Sequence, residues 1–429
     1  MLDLNYVLEH LDEVKTNIAN RNMKVDLSAL PELAETRSRL ITDGDELRRR
    51  ANEIAQSMKG KMEPDERQRR IEEGRALKGR IAENEAQAKE AHAQLDALLR
   101  QIPNLTHPES PIGLTEEDNK EIARWGEPRR FDFPAKDHVV LGQELDLVDF
   151  AAGQKVAGSN FYFLKNDAVL LELAMCRFAL DTLIAEGFVP YTTPDLARPA
   201  ILDGIGFNPR GDETQIYSIE KQDLSLIATA EITLGGMLQD DIVNEAELPL
   251  LLAGVSHCFR TEAGSYGRTS RGLYRVHQFT KVEMFAYSTP EQSDAIHRRM
   301  LAIEEKIFQG FEVPYHVVDI CTGDLGSPAY RKFDIEAWMP GRGEGGAYGE
   351  VTSTSNCTDY QARRLNIRFR PSAGGRPRFV HTLNGTAVAI SRALIAVMEN
   401  HQQADGSIRV PAALVPYLGK EVIRAKGKK

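Results

Sequence analysis

Two interrupted heptad ladders constrain this chain more than any other feature. Leu33, Leu40, Leu47 and Ile54 recur every seven residues, with Ala51 and Met58 on a second track. Beyond Gly60 and Pro64 the spacing resumes as Leu77-Asn84-Ala91-Leu98 and Ile81-Ala88-Leu95. Apolar residues at that period, set among charges, leave a narrow seam on each helix that two helices bury by pairing. The break is short and rich in helix breakers, so the helices fold back antiparallel within one chain. About 33 residues at ~1.5 Å rise predicts an arm of roughly 50 Å. Its seam holds Asn84 and several alanines, which suits an arm reaching a large partner or dimerising better than a rod.

Pro103, Pro108 and Pro111 end the second helix in an extended linker. We therefore divide the chain into an N-terminal domain over residues 1–110 and a second over 111–429. The second mixes short β-rich runs (Leu248–Val255, Gln278–Tyr287, Tyr315–Asp319) with helical patterns at Ala168–Ile184, Glu291–Gln309 and Ala387–Asn400. Strands arrive in clusters without regular βαβ alternation. This predicts an α+β fold with an antiparallel sheet flanked by helices, preceded by a helical coiled-coil arm.

The remaining features mostly exclude. No run approaches the ~20 apolar residues that cross a membrane. Asp3, Glu9, Asp12 and Glu13 interrupt the start where a secretory leader needs an apolar run, so a cytoplasmic protein is expected. Cys176, Cys258, Cys321 and Cys357 are scattered without ligand spacing, so neither zinc nor a disulfide framework is expected. A net charge of −10 argues against a protein coated in positive charge, yet basic and acidic residues nearly balance between Glu35 and Arg100. Arginines cluster there at Arg48-Arg49-Arg50 and at Arg67, Arg69 and Arg70, and the tail Lys426-Gly427-Lys428-Lys429 is basic. There is no P-loop pattern. Gly341, Gly343 and Gly346 satisfy Gly-x-Gly-x-x-Gly, but they lie between two strand-like runs and open no helix, so a hairpin loop is expected.

Phe259 to Met284 carries the chemistry. Arg260 and Glu262, two apart on a strand, would share a face. A loop with four basic residues follows (Arg268, Arg271 and Arg275, with Lys281 nearby), then Phe279 and Glu283 on a returning strand. Activating a carboxylate with ATP brings two anions together, and an arginine clamping both spreads the charge of the transition state. The glutamates suit donors such as an adenine amino group or a substrate ammonium. The bland reading, a structural ion pair in a hairpin, stays open on these residues alone.

Phe259-Arg260-x-Glu262, Gly-Arg-x-x-Arg-Gly and His277-Gln278-Phe279 resemble motif 2 of class II aminoacyl-tRNA synthetases, in the form of the bacterial-type seryl-tRNA synthetase family. The resemblance spans the chain. Ile102–Leu105, Glu117–Asn119 and Arg124–Pro128 match that family's join between arm and body, and Leu180–Leu196, with Pro194, resembles motif 1. Thr229-Ala230-Glu231 resembles its serine loop. Glu350-Val351-Thr352-Ser353 with Ser355-Asn356 and Gln361–Arg364 resembles a second segment, and His381–Gly385 leading to Arg392 resembles motif 3.

The resemblance implies roles. Arg260, Glu350 and Arg392 form the catalytic set. Arg260 would hold the α-phosphate and the serine carboxylate; Glu262 the adenine amino group. Phe279 and Arg392 would cover the two faces of the ring, Arg392 would also reach the γ-phosphate, and Arg275 would help bend the triphosphate back. Glu350, Val351, Thr352 and Ser353 line the ATP site, and Glu350 and Ser353 would bind Mg2+ with the nucleotide. Thr229, Ala230, Glu231, Arg260, Glu283, Asn384 and Thr386 would frame L-serine. The arm would lie along the long variable arm of tRNA-Ser, with Arg48, Arg49 and Arg50 on phosphates, and the protein would be a homodimer. The implied activity is serine–tRNA ligation, with tRNA-Sec a further acceptor.

Ala228, Thr352, Thr386, the Ala387–Ser391 run and the glycine-rich Gly341–Gly346 loop depart from the commonest family pattern. Two alternatives therefore stay open at this stage: a specialised paralogue in a biosynthetic or antibiotic-resistance role, and a catalytically inactive tRNA-binding homologue.

Overall fold

A computed structural model of the chain describes residues 1–60, 62–207, 215–263 and 272–425. Arg268, Arg271 and the basic tail from Lys426 lie outside them. The chain divides into two units, Met1–Pro103 and Asn104–Lys429.

In the first unit, two short helices (Leu4–Glu9 and Leu11–Asn20) precede the long pair α1 (Leu30–Ser57) and α2 (Pro64–Leu99). Their 28 and 36 residues correspond to roughly 40 and 55 Å of helix. Leu40, Gly44, Leu47 and Ile54 are buried on α1, and Leu77, Ala91, Leu95 and Leu99 on α2. Gly44 lies against Asn84: a Cβ there would come within 2.7 Å of Asn84 Oδ1, so the small residue makes room for the polar one in the seam. The expected Leu98 is only half-buried and Leu99 takes its place. A straight α-helix drifts ~20° per heptad, so a strict seven-residue ladder walks off the seam.

The second unit is built on eight strands: β1 (Lys120–Trp125), β2 (Val189–Thr192), β3 (Leu250–Phe259), β4 (Gln278–Ser288), β5 (Tyr315–Asp319), β6 (Arg331–Met339), β7 (Ala347–Asn356) and β8 (His381–Ala389). They lie in the order β1-β5-β6-β7-β8-β4-β3-β2, antiparallel throughout except β2 against β3. The helices that matter for the site are α3 (Asp167–Ala185), α4 (Pro199–Ile205), α5 (Ala230–Gly236), α6 (Ser293–Gly310), α7 (Tyr360–Leu365) and α8 (Ile390–His401).

Period-two patterning divides the sheet into an apolar and a polar face. On β6, Phe333, Ile335, Ala337 and Met339 enter the core that α3, α6 and α8 form beneath the sheet, while Lys332, Asp334 and Glu336 occupy the other face. On β4, Val282, Met284 and Ala286 join the same core, leaving Phe279, Lys281 and Glu283 opposite. A smaller cluster containing Leu202, Ile205, Ala230, Leu234, Phe285 and Leu365 holds α4, α5 and α7 against the second face. The polar residues of that face are thus walled by short helices.

The sequence-based helix expected from Ala387 begins at Ile390 instead. Thr386 to Ala389 continue strand pairing, Val388 with Val282 and Ala389 with Lys281. Apolar periodicity cannot separate a buried strand end from the helix that follows it.

Candidate active site

Two β-bulges set the geometry. On β7, Ser353 pairs opposite Asp334, Thr352 opposite Ile335 and Glu350 opposite Glu336, so Val351 is an extra residue. The bulge brings Glu350 onto the same face as Ser353 and Asp334, which a regular strand would not do at a spacing of three. Thr352 is left on the face of the helices, where its hydroxyl bonds the carbonyl of Thr386. On β8 a second bulge at Ala387 sets Thr386 opposite Glu283.

Arg260 leaves the end of β3 rather than lying on it. Its amide bonds His277 O at 3.0 Å, and its guanidinium sits 5.3 Å over the Phe279 ring. Glu262 is not its strand partner either. It adopts φ 51, past the strand end, and accepts from Arg275 Nη1 at 3.2 Å. The expected common face thus comes from a turn, not from strand alternation. Arg392, in the first turn of α8, donates to Glu350 O at 3.0 Å and pairs with its Oε2 at 3.2 Å. Desolvation acts against the charge on Glu350, but Arg392, Lys332 and Arg260 outweigh it and hold its carboxyl below the usual range. Beside it, burial first and Glu350 second push Asp334 well above that range, although Lys332 Nζ lies 3.4 Å away. Arg260, Glu262, Phe279, Glu350, Val351, Thr352, Thr386 and Arg392 line one polar cavity, together with Tyr274 and Lys281.

Next to this cavity lies a buried polar web. Thr229 caps α5, its Oγ1 accepting the Glu231 amide at 3.2 Å, and the cap aims Glu231 inward from the first turn. Glu231 Oε1 accepts from Gln361 Nε2 at 2.8 Å and Asn384 Nδ2 at 2.9 Å. Burial, and then Glu283, push its carboxyl up to about 7. Glu283, 2% exposed, is paired with Lys281 Nζ at 2.6 Å and accepts from Thr386 Oγ1 at 3.2 Å. Close backbone approach makes room for α5: a Cβ on Gly254 would fall 2.9 Å from Ala230 Cβ and from Leu234 Cδ1.

Among the described residues, each one given a site role from the sequence in the second unit lies in the cavity, in this web or directly beside them. Sequence reasoning assigned no site role to Lys281, Lys332, Asp334, Gln361 or Tyr274. Period-two alternation with Glu283 was a signal for Lys281, and Gln361 stands in the quoted Gln361–Arg364 segment. Lys332 and Asp334 carried none, because strand register alone brings β6 beside β7. On the arm, Arg48 is paired with Asp45 and Glu85, and Arg49 with Glu46 and Glu53. Arg50 has no ion pair among the described residues.

A sheet of this order, with its polar face closed by Arg260 from a strand end and Arg392 from a helix start, is a class II synthetase core. The family model for the tRNA synthetase class II core domain (G, H, P, S and T) matches residues 215–401. That for the seryl-tRNA synthetase N-terminal domain matches residues 1–106. The serine–tRNA ligases of Rubrobacter xylanophilus and Treponema denticola are 59% and 56% identical, across 99% and 98% of this chain and 99% of each of theirs. The crystal structure of seryl-tRNA synthetase from Pyrococcus horikoshii complexed with ATP matches with a TM-score of 0.90 at 41% identity, covering 99% of this chain and 100% of that one. Cytoplasmic serine–tRNA ligase from Naegleria fowleri in complex with AMP matches at 0.87 and 31%, over 100% and 99%. The chain belongs to the seryl-tRNA synthetase family.

Proposed function

We infer that this chain joins L-serine to ATP as seryl-adenylate, releasing pyrophosphate, and then transfers serine to the 3′ end of tRNA-Ser. The observation that carries this reading is the adjacency of two compartments. One is a cavity with Arg260, Glu262, Phe279 and Arg392, matched to a nucleotide; the other is a buried web around Glu231, matched to a small ammonium-bearing substrate.

Arg260 stands between the two and receives both the serine carboxylate and the α-phosphate. Phe279 and Arg392 cover the adenine faces, Arg392 also reaches the γ-phosphate, Glu262 accepts from the adenine amino group, and Arg275 steers the triphosphate. Glu231, with Asn384 and Thr229, takes the serine ammonium, and Thr386 with Glu283 receives the side-chain hydroxyl. A serine carboxylate oxygen attacks the α-phosphorus in line, and the bridging P–O bond breaks toward pyrophosphate. The tRNA terminal hydroxyl then displaces AMP. No enzyme nucleophile is needed; positioning and charge neutralisation supply the rate.

The family's nucleotide chemistry implies a divalent cation. Glu350 and Ser353 share a face beside Asp334, a set of hard oxygen donors that fits Mg2+. Bound there with the phosphates, it would neutralise charge on the leaving group.

The arm, through Arg50 first, reaches the backbone of the tRNA long variable arm, and two copies of the chain assemble. A second apolar face on α3 supports the dimer. Leu170 and Leu173 are 46% and 60% exposed there, flanked by Val156, Phe163 and Val189. Leu173, with Val156, Phe163 and Val169, borders a groove of about 500 Å³, an unusually apolar surface for a monomer. No helix of the described residues is long and apolar enough to cross a membrane.

The test is serine-dependent exchange of pyrophosphate into ATP with magnesium, run beside threonine, alanine, glycine and cysteine, with Arg260→Ala as control. Exchange with serine alone, lost in the variant, is expected. Silence with serine would overturn the reading.

A further inference from the structure

The glycine-rich loop between β6 and β7 departs from the family pattern, and the catalytic set gives it no task. Its geometry is nevertheless specified from both ends. Gly341 N donates to Glu399 Oε2 at 2.7 Å, and the same buried carboxylate accepts from His138 N at 2.9 Å and meets His138 Nδ1 at 2.7 Å. His138 Nε2 in turn accepts the Leu273 amide at 3.1 Å. One carboxylate at the far end of α8 therefore ties the loop to the segment that delivers Tyr274 and Arg275. Gly341 is needed for this contact, since a Cβ there would fall 2.6 Å from Asp137 Cβ.

The loop so held presents Arg342. Its guanidinium lies 4.3 Å from the centroid of the Tyr274 ring, and the Arg392 guanidinium lies 4.6 Å from the same centroid. Nη1 of Arg342 is packed over Gly349, where a Cβ would come within 2.9 Å. Among the described residues this guanidinium has no carboxylate partner and donates no hydrogen bond, whereas Arg392 has Glu350. Two cations drawn to one aromatic ring, one of them uncompensated, make a site for a polyanion. Tyr274 lines both the polar cavity of the active site and a second cavity of about 440 Å³ that Arg342 borders.

We propose that Arg342 is a further pyrophosphate-binding residue, holding the terminal phosphates of ATP with Arg392. As the bond between the α-phosphorus and the bridging oxygen breaks, the electron pair stays on that oxygen and the guanidinium neutralises the charge developing on the departing pyrophosphate. The proposal rests on the adenylate-forming reading above. A planar guanidinium can meet two phosphate oxygens at once, which a lysine ammonium does less well.

The experiment compares the full-length protein with Arg342→Met and Arg342→Lys by three measurements: pyrophosphate KM in exchange, inhibition by AMP, and single-turnover serine transfer from preformed seryl-adenylate to tRNA. Losing a charge-assisted contact should raise the pyrophosphate KM of Arg342→Met on the order of 10–100-fold, with partial recovery in Arg342→Lys. AMP has no β- or γ-phosphate, so its inhibition constant and the transfer rate should stay within about twofold of the unsubstituted protein, as should the melting temperature within a few degrees. An unchanged pyrophosphate KM overturns the proposal. So does an AMP constant that rises in step, which marks general disruption, or a slowed transfer step alone, which assigns Arg342 to the tRNA end. Absence of serine-dependent exchange in the unsubstituted protein is a different failure, since it removes the adenylate-forming reading itself.

Discussion

Glu231→Gln should make this protein more stable and less active at the same time. Burial, and secondarily Glu283, raise the Glu231 carboxyl from an ordinary 4.5 to about 7. A carboxyl whose folded pKa is raised binds its proton more tightly folded than unfolded. Its contribution is therefore fully present below about 4.5 and is lost as pH rises through about 7. At ~1.4 kcal/mol per unit the charged side chain costs about 3 kcal/mol of stability at pH 8. Glutamine keeps an oxygen for the Gln361 and Asn384 donors and carries no charge. The variant should thus melt a few degrees higher at pH 8 and almost unchanged near pH 4.5. Activity moves the other way. An ionised Glu231 is the proposed partner of the serine ammonium, a charge-assisted bond worth about 1.5–3 kcal/mol, so serine KM should rise roughly 10–150-fold with ATP KM unaffected. In the unsubstituted protein, serine KM should climb about tenfold for each pH unit below 7. Melting curves and exchange kinetics between pH 5 and 8 decide the matter. A variant that melts lower at pH 8, or a serine KM flat from pH 6 to 8, would refute the argument.

Other expectations follow from single contacts. Gly254→Ala drives a methyl into Ala230 and Leu234; it should cost about 1–3 kcal/mol and raise serine KM more than ATP KM, read by melting and exchange. Arg50→Ala should weaken tRNA charging and lower the salt slope of tRNA binding by about 1, with Arg49→Ala milder because Glu46 and Glu53 already occupy that guanidinium; equal slopes for the two variants would contradict the assignment. Leu173→Glu should turn a dimer into a monomer in sedimentation velocity, and a variant that stays dimeric would place the interface elsewhere.

Local pattern made the arm legible, because heptad spacing and a Gly–Pro break act between residues near in sequence. It also made strands such as Gln278–Tyr287 and Tyr315–Asp319 legible, since alternation over a few residues marks their two faces. The motif residues could be picked out one by one, and the family resemblance supplied their roles. What no local pattern contained was their meeting. Glu350 and Ser353, three apart, share a face only because a bulge at Val351 shifts the register against β6. Arg260 and Glu262 reach the same cavity through a residue at positive φ, not by strand alternation. Lys332, Asp334 and the neighbouring Tyr274 enter through pairings and loops distant in the chain, and Glu399 joins loops more than a hundred residues apart. Periodicity reports which face a residue prefers. Register, bulges and burial decide which residues from different strands share that face, and only the closed tertiary structure sets them.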